Sequence, residues 1–119
     1  MPDSVAHARF QRYGPRKVGQ LLRLIRGKSL EQADGILSFA PRRAALLVAK
    51  TLRSAAANLG VKMGRPVEPN HVWVRQAWVG QGPTKALRRI QPGPMGRAMP
   101  FKRKMCHVTI RVGSERSQV

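Results

Sequence analysis

Cys106-His107 is the one adjacent pair in the chain whose types suit nucleophilic catalysis, a thiol beside an imidazole that could take its proton. The pair opens a run, Cys106-His107-Val108-Thr109-Ile110-Arg111-Val112, that reads as a β-strand. Successive strand residues point to opposite faces, so the two side chains diverge and a core cysteine is the better reading. A single cysteine excludes an intrachain disulfide and every multi-cysteine zinc module, and His7, His71 and His107 have no ligand spacing. The 5 acidic residues are scattered and furnish no close carboxylate pair for acid–base work. Gly80-Gln81-Gly82-Pro83-Thr84-Lys85 faintly resembles a phosphate loop, but the glycine spacing is wrong and Pro83 removes an amide such a loop needs. No catalytic residue, metal or cofactor is expected.

What remains is charge. The 119 residues hold 23 Lys plus Arg against 5 Asp plus Glu, a net charge of +18 and a pI near 12.0. The length suits one domain, 1–119, and an apolar fraction of 42% is ordinary for a folded one. Like charges this dense repel unless neutralised, and a phosphate backbone neutralises them with release of its counterions. An anionic membrane would favour one basic helix or tail. Here residues 1–70 carry 13 basic and 4 acidic side chains and residues 71–119 carry 10 and 1, net +9 each. That even spread favours a nucleic acid contacted on several sides, with no membrane partner. Aromatics at 5% argue against an aromatic-filled core and against an aromatic platform for stacking bases. The start, Met1-Pro2-Asp3-Ser4, has neither signal-peptide nor transit-peptide character, so an intracellular protein is expected.

The elements that must position these cations are readable in part. Val5 to Arg12 loosely alternates as a short strand carrying Arg9 and Arg12. Pro15 suits the first turn of a helix, and Val18, Leu21, Leu22 and Ile25 form one face of it, with Gly27 as its stop. Arg16, Arg23 and Arg26 fall on the opposite face. Ser29-Leu30-Glu31-Gln32 matches a capping box opening a short helix through Leu37. Pro41 opens a third helix to about Leu59, with Ala44, Leu47, Val48, Thr51, Leu52, Ala55 and Leu59 as its buried stripe, and residues 60–70 form a loop. His71 to Val79 and Cys106 to Val112 read as strands.

Between those strands, residues 82–105 contain no acid and carry Lys85, Arg88, Arg89, Arg97, Lys102, Arg103 and Lys104. An unstructured loop of that length is rare inside a compact domain, so an extended hairpin with a Pro/Gly tip near residues 91–98 is expected. About nine residues per arm at roughly 3.3 Å each would reach on the order of 30 Å beyond the core. A free two-stranded projection is marginal in water, so its partner would order it.

Gly14-Pro15-Arg16-Lys17-Val18, Leu24-Ile25-Arg26-Gly27-Lys28 and Ser54-Ala55-Ala56-Ala57-Asn58 resemble the helical core of the large-ribosomal-subunit protein L twenty-two family, bacterial or organellar type. Gly82-Pro83, Arg88-Arg89-Ile90, Gly96-Arg97-Ala98 and Arg103-Lys104-Met105-Cys106-His107-Val108 resemble that family's hairpin and returning strand. The resemblance implies an α+β fold: three helices on a small antiparallel sheet, with a hairpin extension at about 80–107. It implies a structural protein that binds large-subunit ribosomal RNA, assists subunit assembly, and lines the peptide exit tunnel with its hairpin tip, near protein L four and the nascent peptide. By position the tip is Gly93, Pro94, Met95, Gly96, Arg97 and Ala98. Arg88, Arg89, Lys102, Arg103 and Lys104 match the arm's phosphate contacts, and Arg16, Lys17 and Lys28 match basic positions around the first helix. Arg9, Arg12, Arg23, Arg26, Lys85 and Arg97 complete the RNA-facing set by charge. A cytoplasmic ribosome is expected, with an organellar one left open.

The chain departs from the family pattern in places. Val79-Gly80-Gln81-Gly82-Pro83 replaces the usual Val-Asp-Glu-Gly-Pro, Thr84 to Leu87 holds two extra residues, and Met105-Cys106 replaces Thr-Ser. At the tip, Pro92-Gly93-Pro94 replaces Pro-Arg-Ala, which implies a stiffer and less cationic wall. The alternative class is a free-standing basic nucleic-acid-binding protein, either DNA-architectural or an RNA chaperone.

Overall fold

Four apolar side chains at helical spacing set the architecture. In the computed structural model, which describes residues 3–66, 68–83, 88–102 and 104–114, Val18, Leu21, Leu22 and Ile25 form the fully buried face of helix α1 (Pro15–Ile25). Pro15 occupies its first turn, where a missing N–H costs nothing. Strand β1 (Asp3–Gln11) precedes it, and Arg26 and Gly27, the latter at φ +74°, end it. Helix α2 (Leu30–Phe39) starts at the capping box: Gln32 N–H donates to Ser29 Oγ, and Ser29 N–H donates to Gln32 Oε1, both at 3.3 Å. It runs two residues past Leu37.

Helix α3 (Ala44–Met63) departs from expectation at both ends. Pro41 lies three residues ahead of it, and Gly60 does not stop it. The stop is Gly64 at φ +70°, the left-handed conformation that carries no Cβ penalty in glycine. Gly64 N–H donates to Val61 O and Arg65 N–H to Gly60 O, closing the last turn. Its buried face is also shifted: Ala45 and Ala49 are buried, whereas Leu47 is only partly so.

A turn of 3-10 helix (Pro69–His71) leads into strand β2 (Trp73–Gln81), so His71 falls outside the strand. Strand β5 (Cys106–Gly113) sits centrally in an antiparallel sheet of order β1-β5-β2. The helices cover one face: α3 packs on β1 and β5, and α1 on β2. Cys106, Val108, Ile110 and Val112 alternate inward from β5 to meet Leu52, Ala55 and Leu59 of α3 and the apolar stripe of α1 in one core.

Two irregularities bend the sheet. The β1–β5 register slips between Ala8 and Gln11, where Phe10 adopts φ +57°, and the β2–β5 register slips at Arg75. The β2–β5 ladder runs on to a bond from Gly82 N–H to Met105 O, and beyond it lies the hairpin of β3 (Arg88–Pro92) and β4 (Ala98–Lys102). The described ladder holds five pairs, Arg88↔Lys102 to Pro92↔Ala98, and the turn is 93–97, shorter than the 91–98 expected. The molecule measures 63 × 25 × 24 Å, in keeping with a long projection.

The prolines of the hairpin follow the ladder's parity. Gly93 N–H donates to Arg97 O, which makes Gly93–Arg97 a hydrogen-bonded pair and fixes the alternation below it. Pro92 opposite Ala98, and Pro100 opposite Ile90, both fall on pairs that need no inward donor.

Candidate nucleic-acid interface

The chemistry of this surface is that of unpaired cations. Arg9 stands on β1 and Arg12 in the turn after it; Arg16, Lys17 and Arg23 stand on α1, and Arg26 and Lys28 on the link to α2, all of them exposed. Among the described residues the ion pairs are Arg53–Asp34, His71–Glu68 and Arg75–Asp3, and none uses a member of the predicted set. Their charge is therefore free to meet an external anion.

The α1–α2 link is held by backbone, not by its side chains. Gly27 N–H donates to Val74 O, Val74 N–H to Lys28 O and Leu30 N–H to Val72 O, at 2.7 to 3.0 Å. These bonds occupy the outer edge of β2 and present Lys28 in a fixed direction. Arg26 has a second duty: its Nε donates to Ala77 O at 2.7 Å, so one guanidinium edge closes the β2 backbone. Charge patterning alone does not reveal that contact.

On the hairpin, Arg97 and Lys104 are exposed. The backbones of Arg88, Arg89 and Lys102 lie in the ladder, while Lys85 and Arg103 lie outside the described residues. The tip is a tight turn closed by Arg97 N–H donating to Pro94 O at 3.3 Å, entered from Gly93 and left through Arg97 into Ala98. Met95 sits at φ 57° and Gly96 at φ 73°. Met95 is 97% exposed, the most solvent-facing large apolar side chain described. Gln11 pairs with Cys106, so the Arg9–Arg12 end of β1 lies beside the strand from which the finger leaves.

The pair that could have been catalytic is separated. Cys106 points into the core, fully buried, and burial pushes its thiol above the ordinary range, opposed in part by a backbone hydrogen bond from Tyr13. His107 faces the other side of the sheet, where its Nδ1 accepts the Phe10 N–H at 3.0 Å. Among the described residues no group of three or more His, Cys, Asp or Glu is placed to hold a metal. No helix is long and apolar enough to cross a membrane among the described residues.

Arg111 is a further cation that the charge pattern alone does not single out. Its Nη1 is 3.5 Å from Gln76 Oε1, and its Nε is buried without a hydrogen-bond partner within the chain. Alternation along β5 was the available signal: Ile110 faces the core, so Arg111 must face away.

Comparison with known proteins agrees with this architecture. Residues 6–113 match the family model described as Ribosomal protein L22p/L17e. The chain is 46% identical over 108 residues to the large ribosomal subunit protein uL22 of Endomicrobium trichonymphae, covering 91% of this chain and 89% of that one. It is 44% identical to the protein of that name from Myxococcus xanthus, covering 91% and 93%, and 41% identical to that from Thermus thermophilus, covering 95% and 96%. With three helices on a small antiparallel sheet, a projecting hairpin and a family match over nearly its whole length, the chain belongs to the Ribosomal protein L22p/L17e family, whose members are structural constituents of the large ribosomal subunit.

Proposed function

We propose that this chain binds large-subunit ribosomal RNA as a single domain over 1–119, with the hairpin of about 80–107 as its extension. The observation that carries the reading is a five-pair ribbon, free of acidic residues from 82 to 105, at one end of a molecule 63 Å long. Such a ribbon has no core of its own, and a surrounding phosphate backbone supplies what orders it. Arg9, Arg12, Arg16, Lys17, Arg23, Arg26 and Lys28 hold one RNA surface, and Lys85, Arg88, Arg89, Arg97, Lys102, Arg103 and Lys104 hold another. Neutralising two RNA regions at once favours their approach, which is how the chain assists assembly.

In this reading Gly93 to Ala98 lines the peptide exit tunnel, near protein L four, in a cytoplasmic or organellar ribosome, and no catalytic step belongs to the chain. With proline on both sides of Gly93 and no arginine among residues 92–95, the tip is a stiffer and less cationic wall to the nascent peptide.

A photo-reactive residue at position 95, carried in translating ribosomes, tests the placement. Cross-links to the nascent peptide are expected. Stoichiometric co-sedimentation with large subunits but without those cross-links overturns the tunnel assignment. Loss of the chain from subunits in a moderate salt wash favours a free-standing nucleic-acid-binding protein instead.

A further inference from the structure

The helices cover one face of the β1-β5-β2 sheet and leave the other open. The pairing register puts four rows of side chains on that open face. At one end Asp3 and Trp73 pair with Gly113, and Asp3 meets the bulged Arg75 over it. Then come Val5, Arg111 and Gln76; next His7, Thr109 and Trp78; and last His107 and Gly80, where the β1 register slips and Arg9 follows His7 by strand alternation. Asp3 is the face's one acid among the described residues, and Arg75 neutralises it at 2.7 Å. The rest of the face offers cations, hydrogen-bond donors and aromatic rings.

Low aromatic content argued against a stacking platform, but a count says nothing about placement. Two of the 6 aromatic residues are exposed on this face. Trp78 is 46% exposed in the third row. Phe10 is 59% exposed and reaches the same face because the β1 bulge turns it there: its ring meets the His107 ring edge-on, with centroids 4.9 Å apart. The bulge costs strain, since a phenylalanine at φ +57° is a true outlier. Backbone strain is commonly retained at binding surfaces. Beside the rings stand exposed Arg9 and half-buried Arg111, whose buried Nε has no partner within the chain.

We propose that this open sheet face binds unpaired nucleotides of RNA, stacking bases on Trp78 and Phe10 and holding the intervening phosphates with Arg9 and Arg111. Two strand spacings across β5 and an offset of two residues along it put these residues on the order of 12 Å apart, a span that two or three unstacked nucleotides cover. Bases splayed from single-stranded RNA are recognised by aromatic faces on open sheets, and a π-face accepts any base. The inference rests on the RNA-binding reading of the chain but concerns a surface separate from α1 and the hairpin tip.

The test uses the full chain, an unstructured oligouridine and a fully paired RNA duplex of equal length, with tryptophan fluorescence and thermal melting in parallel. Oligouridine should quench the fluorescence of the parent chain. Trp78→Ala should weaken oligouridine binding about tenfold, leave duplex binding within twofold, and be largely rescued by Trp78→Phe. Arg111→Gln, which keeps a polar head on the face, should weaken oligouridine binding with an unchanged ring. Equal losses for duplex and oligouridine, no loss in Trp78→Ala, or protection of Trp78 by an acidic peptide or by self-association in place of RNA overturns the platform. A parent chain that binds neither RNA overturns the broader RNA-binding reading instead, so the two failures are distinguishable.

Discussion

Asp3 Oδ1 and Arg75 Nη1 lie 2.7 Å apart across the surface of Gly113, and they can meet only because residue 113 has no side chain. A Cβ built there would stand 2.6 Å from both Arg75 Cδ and Asp3 Oδ1. The pair ties β1 to β2 over the central strand at the end of the sheet farthest from the hairpin. Asp3→Asn and Arg75→Gln should each cost about 1 kcal/mol, with the double variant close to either single one. Gly113→Ala should cost more, since it displaces both partners. Urea unfolding of the four variants checks the order, and additive single losses would deny the coupling.

Cys106 supplies the pH dependence. Its folded-state thiol is raised, by desolvation first, so the folded chain holds that proton more tightly than the unfolded one. The stability this lends is complete below the unfolded thiol range near about 8.5 and declines as pH rises through and beyond it. The native thiol should resist a disulfide reagent at pH 8 and react on unfolding. Cys106→Ala should lose this alkaline decline, measured by melting from pH 8 to 10.

Ser29 and Gly64 carry two helix ends by different means. Ser29→Ala removes one half of the capping box and should cost about 1 kcal/mol. Gly64→Ala forces a side chain into φ +70° and should cost about 1 kcal/mol through backbone strain alone, since nothing lies within 4 Å of its Cβ position. Chemical denaturation of each variant checks both values.

The tip is crowded at one residue. A Cβ on Gly93 would lie 2.9 Å from Met99 Cγ and 3.1 Å from Arg97 O, so Gly93→Val should break the Gly93–Arg97 bond and open the turn. Met95→Gly should relieve the positive φ at that position. Exchange of the amide at position 93, faster in the first variant and slower in the second, is the readout. Global stability should move little, because the hairpin lies outside the core.

Binding to large-subunit RNA should weaken steeply with salt, and Arg97→Gln should lower the log–log slope by roughly one. A flat response would remove the electrostatic basis of the proposed RNA contacts.

Helix α1 was legible because four side chains repeat at helical spacing, and the capping box because its two partners sit three residues apart. The end of α3 was not. Gly60 looks like a stop, yet the residue that ends a helix is the one at positive φ, and glycine content alone does not tell Gly60 from Gly64. The Phe10 bulge was hidden for the opposite reason, since phenylalanine gives no local hint of a left-handed conformation. Charge showed that Arg16, Arg23 and Arg97 would be free, but neither the Arg26–Ala77 contact nor the unpartnered Arg111 Nε could be seen before β2 and β5 were paired. Long-range register decides such contacts, and one strand read alone does not contain it.

Pro92 and Pro100 also guard the finger. Any slip of the β3–β4 pairing by an odd number of residues would turn one of them inward, where a donor is required and none exists. In the observed register each proline instead deletes one outward-pointing N–H, one from each edge of the ribbon. A newly made chain, still free of its partner, thus carries a finger whose two rims resist recruiting a further strand. Protection against misassembly is written into the same residues that keep the tip in frame.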